Sequence, residues 1–569
     1  MTSWSRFALT LGLTLPWPGL AAGQALEAGP RVLTFYSDVD DTEQPYALYL
    51  PASFDASRRY PLVVSLHGAG SNHRLNLRRV FGKSNAEGEN DVEASRYFPA
   101  WEDVDYIVAA PYARGTMGYQ GVAEKDVLDV LADVKRRFPV DENRIYLTGL
   151  SMGGGGTLWL GLTRPDIWAA IAPVCPAPPP GTDALAPNAL NLPVRIFQGG
   201  ADPVVRPESV RAWVRRFEEA DVAIEYTEYP GVDHFSWVPA YADGQIFEWF
   251  ARFERNPHPD RVRFVSDRYK YREAYWVRLD ALTPGALASI DARFTAQNRI
   301  VVTTSGLDGF TLDLAGHPRF ASGRPLAVAI DGTNLELPPA GATSFGREGD
   351  KWVAAPVVAR GKGPGAEGPM SEVIASRHVY VYGTLGEPPR EELKARRAQA
   401  MRAAEWSVNR GPFWGRVMVF PRVVSDREVR PSDRADANLI LFGTRETNSL
   451  IAQLADRLPV HFTGAPERYG LAYVYPVDGR YVLVSSGLPW WQTGTGSARS
   501  PFTSDVVAFA LAALGDYVLF EGSTDNVVAG GRFDTSWRFP AGDAERMVAA
   551  GAVTVAPNMT GAASASHGQ

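Results

Sequence analysis

Cysteine is almost absent from this chain: its 569 residues include one, Cys175. A single cysteine cannot close an intrachain disulfide, so life outside the cell would rest on packing alone. It ends an apolar run, residues 169–175, and reads as a small buried core residue rather than a reactive thiol. Histidine is also scarce, at eight residues, and neither an HExxH nor a CxxC spacing occurs. No metal site and no cofactor are therefore expected. Past the N-terminal apolar stretch, no run approaches the ~20 residues that cross a bilayer, so no membrane span is expected. Basic excess is missing as well. The chain holds 57 Lys and Arg against 64 Asp and Glu, a net charge of -7, which argues against a nucleic-acid partner. What remains is a globular composition, 45% hydrophobic with a mean hydropathy of -0.16, in a chain long enough for about two to four domains.

The N-terminus reads as a secretory signal over residues 1–23. Arg6 gives a short positive start, residues 7–15 an apolar core, Pro16-Trp17-Pro18-Gly19 a break and Leu20-Ala21-Ala22-Gly23 small residues for cleavage. Export to the periplasm or the exterior is expected; the sequence does not separate the two.

The richest stretch is Gly149-Leu150-Ser151-Met152-Gly153. It follows the strand-like Arg144-Ile145-Tyr146-Leu147-Thr148 and leads into a small-residue helix start. A nucleophile elbow requires this context: the serine sits on a strained turn, and flanking glycines let the backbone bend without Cβ clashes. The following helix aims its positive N-terminus at the serine, where an oxyanion would develop. Two further pieces come in the required order. A strand at 193–197 ends near Asp202, and one at 224–229 ends near His234. Nucleophile Ser151, acid Asp202 and base His234 are the expected catalytic residues. Upstream, a strand at 61–66 runs into His67-Gly68-Ala69-Gly70. The Ala69 and Met152 N–H groups are the expected oxyanion donors.

Asp233 neighbours His234, but an acid adjacent in sequence rarely reaches its neighbour's Nδ1, so Asp202 is preferred. His67 reads as a brace for its loop. Tyr112, at a strand mouth, and Trp237, three residues past His234, each read either as pocket-lining or as packing. The aromatics at 247–253 read as core of a closing helix.

The segment 141–154, Asp-Glu-Asn-Arg-Ile-Tyr-Leu-Thr-Gly-Leu-Ser-Met-Gly-Gly, resembles the hydrolase domains of the prolyl oligopeptidase and dienelactone-hydrolase group of the α/β-hydrolase superfamily. That group includes secreted esterases of the feruloyl-esterase and polyhydroxybutyrate-depolymerase kind. The resemblance spans residues 30–255. It implies an eight-stranded, mostly parallel sheet and serine acyl transfer, and leaves the substrate open. Prolyl oligopeptidases carry a propeller ahead of this domain. Here only a few residues separate the signal segment from the first strands, which favours an esterase modestly over a peptidase.

The expected organisation is thus an α/β-hydrolase catalytic domain at 24–256, a β-rich accessory module at 258–358, a C-terminal α/β region at 372–545 and a disordered Gly-Ala-Ser tail at 550–569. Alternating apolar residues carry the β reading. Alternation of strands with helices at 390–406, 446–458 and 505–514 carries the α/β one. Gly361-Lys362-Gly363-Pro364-Gly365 reads as a flexible break. Tyr275 and Trp276 read as core rather than sugar-stacking aromatics. Phe442-Gly443-Thr444 before a helix is a weak anion-site pattern. Asn558-Met559-Thr560 is a formal glycosylation sequon of little weight.

The functional expectation is a secreted serine hydrolase that cleaves esters through an acyl-enzyme and acts on a small-molecule ester or peptide, possibly polymer-linked. A serine peptidase is the alternative within the class, and a non-catalytic binding protein on the same fold the alternative outside it. Oligomeric state is left open.

Overall fold

A computed structural model of the chain describes residues 28–356, 361–408, 410–411, 415–492 and 506–559. The expected signal segment and the last residue of the sequon lie outside the described residues.

The first sheet has eight strands: β1 Gly29–Ser37, β2 Thr42–Leu50, β3 Tyr60–Leu66, β4 Ile107–Pro111, β5 Val140–Leu150, β6 Ala170–Val174, β7 Val194–Gly199 and β8 Ile224–Tyr229. Their spatial order is β1-β2-β4-β3-β5-β6-β7-β8. The β1–β2 and β2–β4 pairs are antiparallel, and every later pair is parallel. β3, β4 and β6 are buried along their whole length, as strands covered by helices on both faces must be. The period-2 alternation sorts their side chains into two cores. Leu62, Val64, Ile145, Leu147 and Ile171 face one layer; Val63, Tyr146, Ala170 and Ala172 face the other, with Trp249 and Phe250. The helices flanking the sheet include α1 His73–Val80, α2 Val122–Arg137, α3 Met152–Thr163 and α4 Pro207–Glu219. This is the sheet of an α/β-hydrolase, with its parallel strands delivering their C-terminal ends to one edge.

The region after it is all-β, two five-stranded sheets packed around Phe264, Trp276, Phe310 and Trp352. Trp276 is buried and donates its indole N–H to Pro259 at 2.7 Å, while the Tyr275 hydroxyl bonds the Pro165 carbonyl at 3.1 Å. Both aromatics are thus used in packing.

A third sheet of seven strands is parallel only in its first half. Strands at 422–425, 378–382, 438–442 and 480–487 run parallel, and those at 469–477, 517–521 and 527–531 are added antiparallel. Three expectations are corrected here. The helix expected at 446–458 is a short α-helix, Ser449–Gln453, capped by Asn448 and followed by a 3-10 turn. The segment at 361–365 is no flexible break: the buried Lys362 pairs with the buried Asp516, and Gly363 and Ala366 exchange backbone bonds of 3.0 and 2.9 Å. Residues 550–559, the described part of the expected tail, are ordered. Val553–Val555 pairs antiparallel with Val460–Phe462, and Met559 is buried, because these few apolar residues dock despite their Gly-Ala surroundings.

Candidate active site

Ser151 stands between β5 and α3 at φ 56°, ψ −116°. For a residue with a Cβ this is a strained conformation, and it persists because its surroundings fix it. The Ser151 N–H donates to Val174 at 2.9 Å and its carbonyl accepts from Gly155 at 2.9 Å. Two glycines make the turn possible. A Cβ on Gly149 would lie 2.4 Å from the Gly153 carbonyl oxygen, and one on Gly153 would lie 2.2 Å from that of Leu66.

The three side chains expected from the sequence meet at the C-terminal edge of the sheet. His234 Nε2 lies 3.0 Å from Ser151 Oγ, and His234 Nδ1 lies 2.8 Å from Asp202 Oδ2. The Asp202 side chain is fully buried, whereas that of His234 is 18% exposed. Asp202 is fixed from the other side by the Val204 and Val205 N–H groups, which donate to its Oδ1 at 2.8 and 2.9 Å. Gln198 Nε2 adds a 3.3 Å contact to Oδ2. Burial raises the cost of the Asp202 charge, but the His234 hydrogen bond and the two backbone donors outweigh it, and the carboxyl is held below its ordinary value. Asp233, the competing acid, points elsewhere and accepts from the Phe235 N–H at 2.9 Å.

The loop after β3 approaches the elbow closely. A Cβ on Gly68 would lie 3.5 Å from Ser151 Cβ. Met152 is the first residue of α3, which has no side-chain cap. Neither the Ala69 nor the Met152 N–H has a hydrogen-bond acceptor among the described residues. His67 is a brace: its buried ring bridges the Gly68 carbonyl at 2.8 Å and the Tyr112 carbonyl at 2.9 Å. Burial pushes its pKa down.

Trp237 is buried, and its ring stands edge-on to that of His234 at 5.6 Å, beneath the Arg79 guanidinium. Tyr112 lies beside His67 and His73, with its hydroxyl 3.6 Å from Met418 Sδ. Cys175 is buried below the site, its Sγ 3.6 Å from the His234 carbonyl, and burial pushes the thiol up to about 12. Its sulfur lies within 4.8 Å of donor atoms on Asp202 and His234. A protonated thiol and an imidazole already engaged through both nitrogens make a poor metal ligand set.

A cleft of about 780 Å³ lies past the triad; Ser151, Asp202 and His234 do not line it, and Ala177, Val204 and Val205 connect its walls to them. One wall is the proline-rich segment 176–181, which follows β6 and is tied to the elbow through Ala177 N–H to the Ser151 carbonyl at 3.2 Å. The other is Val204, Val205 and Arg206 with Ser209 and Trp213 of α4. Sequence reading missed this cleft and the donors behind Asp202. The four prolines among residues 176–180 were the available signal.

Residues 38–237 match the model of a family described as "Putative esterase". Over 80 residues the chain is 40% identical to a poly(3-hydroxybutyrate) depolymerase of Ralstonia pickettii, covering 14% of this chain and 15% of that one. Over 236 residues it is 22% identical to a bifunctional acetylxylan esterase/xylanase of Neocallimastix patriciarum, covering 39% of this chain and 32% of that one. The chain thus spans less than a third of the length of either curated relative. A solved thermostable esterase aligns with a TM-score of 0.33 at 27% identity, over 40% of this chain and 63% of its own.

Proposed function

We propose, for a chain whose N-terminal sheet is that of the α/β-hydrolase superfamily and whose residues 38–237 match an esterase family, that it is an exported serine hydrolase of carboxylic esters. The observation that carries the reading is the unbroken relay from Ser151 Oγ to His234 at 3.0 Å and from His234 to Asp202 at 2.8 Å. His234 Nε2 takes the Ser151 proton as Oγ attacks the ester carbonyl. The carbonyl oxygen becomes an oxyanion, held by the Ala69 and Met152 N–H groups and the α3 N-terminus. Collapse breaks the C–O bond, and His234 gives its proton to the departing alcohol. Water then repeats the sequence on the acyl-enzyme, releasing the acid and restoring Ser151. Asp202 keeps the Nδ1 proton in place, so that Nε2 faces the serine as an acceptor.

The open cleft between the 176–181 segment and α4 suits the larger part of the substrate, and its open form suits an ester attached to a polymer. Trp237 supports the His234 ring. Tyr112 stands on the turn after β4, stacked beside His67 at the base of the loop that carries Ala69. Residues 1–23 supply the export signal. The test is hydrolysis of short-chain aryl esters and of a proline-containing peptide amide by wild type and Ser151→Ala. Ester turnover lost in the variant supports the reading. Amide cleavage without ester preference would replace it with a peptidase.

A further inference from the structure

The region beyond residue 361 touches the hydrolase unit at one unusual place. After β4 the chain turns at Tyr112-Ala113-Arg114-Gly115, closed by the Gly115 N–H donating to the Tyr112 carbonyl at 3.0 Å. Ala113 and Arg114, the two central residues, have φ of 45° and 63°. Such turns select Asn and Gly at these positions, because a Cβ is strained there. Ala-Arg is the wrong sequence for the turn, so something outside the turn must hold it.

The holding groups are identifiable. The Arg114 side chain is fully buried. It donates to Asp126 at 2.6 Å through Nε, to Asp40 at 2.6 Å through Nη1 and to Ser37 at 2.6 Å through Nη2. The remaining partners come from about 300 positions further along the chain. Gly115 forms an antiparallel bridge with Val417. The Met418 N–H donates to the Arg114 carbonyl at 3.2 Å, the Met418 carbonyl accepts from Arg114 Nη1 at 3.2 Å, and the Phe420 N–H donates to Asp40 Oδ2 at 2.9 Å.

The turn in turn carries the loop after β3. His67 Nε2 contacts the Tyr112 carbonyl at 2.9 Å, the Gly70 N–H donates to Thr116 Oγ1 at 2.9 Å, and the Tyr119 hydroxyl donates to the His67 carbonyl at 3.0 Å. Ala69 lies between these anchors.

We infer that the Val417–Met418–Phe420 strap of the C-terminal region is a positioning element for the oxyanion hole: it clamps the strained Ala113–Arg114 turn, and the turn sets the Gly68–Gly70 loop that presents the Ala69 N–H. The inference rests on the hydrolase reading of Ser151 and Ala69. The C-terminal region on this view is part of the catalytic assembly, not an independent appendage. The strap touches no reacting atom. Its loss therefore lowers kcat by displacing one oxyanion donor and leaves ground-state binding in the cleft alone.

The test uses the full-length protein and 4-nitrophenyl acetate. Met418→Pro removes the N–H that bonds Arg114, and Met418→Ala keeps it. The expected result is a kcat about 10- to 100-fold lower for Met418→Pro with KM within about twofold, and Met418→Ala close to wild type. Thr116→Val, which breaks the link to Gly70 at the other end, is expected to show the same kcat loss, and Thr116→Ser to restore it. If Met418→Pro does not fold, Phe420→Pro, which removes the strap N–H donated to Asp40 Oδ2, takes its place with the same expected kcat loss. Unchanged kcat in the folded proline variant, or in Thr116→Val, overturns the inference. So does a loss confined to KM. A wild type with no Ser151-dependent ester turnover would instead remove the hydrolase reading beneath it, so the two failures are distinguishable.

Discussion

Replacing Asp202 by Asn tests whether the acid acts by fixing the imidazole tautomer. The structure dictates which way the amide must face. Oδ1 already accepts from two backbone N–H groups, Val204 at 2.8 Å and Val205 at 2.9 Å, so the carboxamide oxygen must stay there. Its NH2 then takes the Oδ2 position, 2.8 Å from His234 Nδ1. Two donors cannot face one another, so Nδ1 becomes the acceptor and the ring proton moves to Nε2. Nε2 lies 3.0 Å from Ser151 Oγ and can no longer take its proton. A wrong tautomer in this arrangement costs about 10⁴ in kcat, or roughly 5 kcal/mol of barrier. The assay is kcat and KM on a short aryl ester near neutral pH, with thermal unfolding to show an intact fold. KM is expected to change little. A loss of less than about tenfold, in a variant that unfolds at the wild-type temperature, would refute the tautomer argument.

Three further outcomes follow from packing and charge. Gly153→Ala would push a Cβ to 2.2 Å from the Leu66 carbonyl oxygen, and a destabilisation of about 2 kcal/mol or more is expected in denaturant unfolding; wild-type stability with full activity would contradict the elbow geometry. Trp213→Ala, in the cleft, is expected to raise KM about tenfold for a polymer-linked ester and to leave 4-nitrophenyl acetate unaffected; equal effects on both would remove the cleft from substrate binding. Burial pushes the Glu367 carboxyl up to about 7, against the opposing Tyr269 and Lys270 N–H groups. A carboxyl raised on folding favours the protonated form, so its contribution is full below the unfolded value near 4.5 and is lost as pH rises through 7, roughly 3 kcal/mol in all. Unfolding midpoints at pH 5 and 8 are expected to fall more steeply for wild type than for Glu367→Gln; parallel profiles would rule out Glu367 as the source.

The parts of the site legible in the sequence are those with local signatures. Gly149 and Gly153 flank Ser151 because the backbone needs them, and Asp202 and His234 each follow a strand end. The chain order alone could therefore propose their meeting, and the structure brings them within hydrogen-bond reach. Groups placed by long-range contact had no such signal. Nothing near Arg114 announces Met418, and the Ala-Arg turn carries none of the residues that normally mark one. Alternation of strands and helices identified the layered C-terminal sheet but not its strand directions. Asp478-Gly479, between strands at 469–477 and 480–487, was the hairpin signal for the antiparallel half, with φ of 52° and 76°. At 361–365 composition misled, because a buried ion pair outweighs glycine and proline content.

The most direct measurement of the central claim is the site of labelling by a fluorophosphonate, which reacts readily only with an activated serine. Peptide mapping of the labelled wild-type protein is expected to place a single adduct on Ser151, with none formed by His234→Ala at the same exposure. An adduct on another residue, no adduct on the folded protein, or equal labelling of the His234 variant would contradict a Ser151–His234–Asp202 hydrolase.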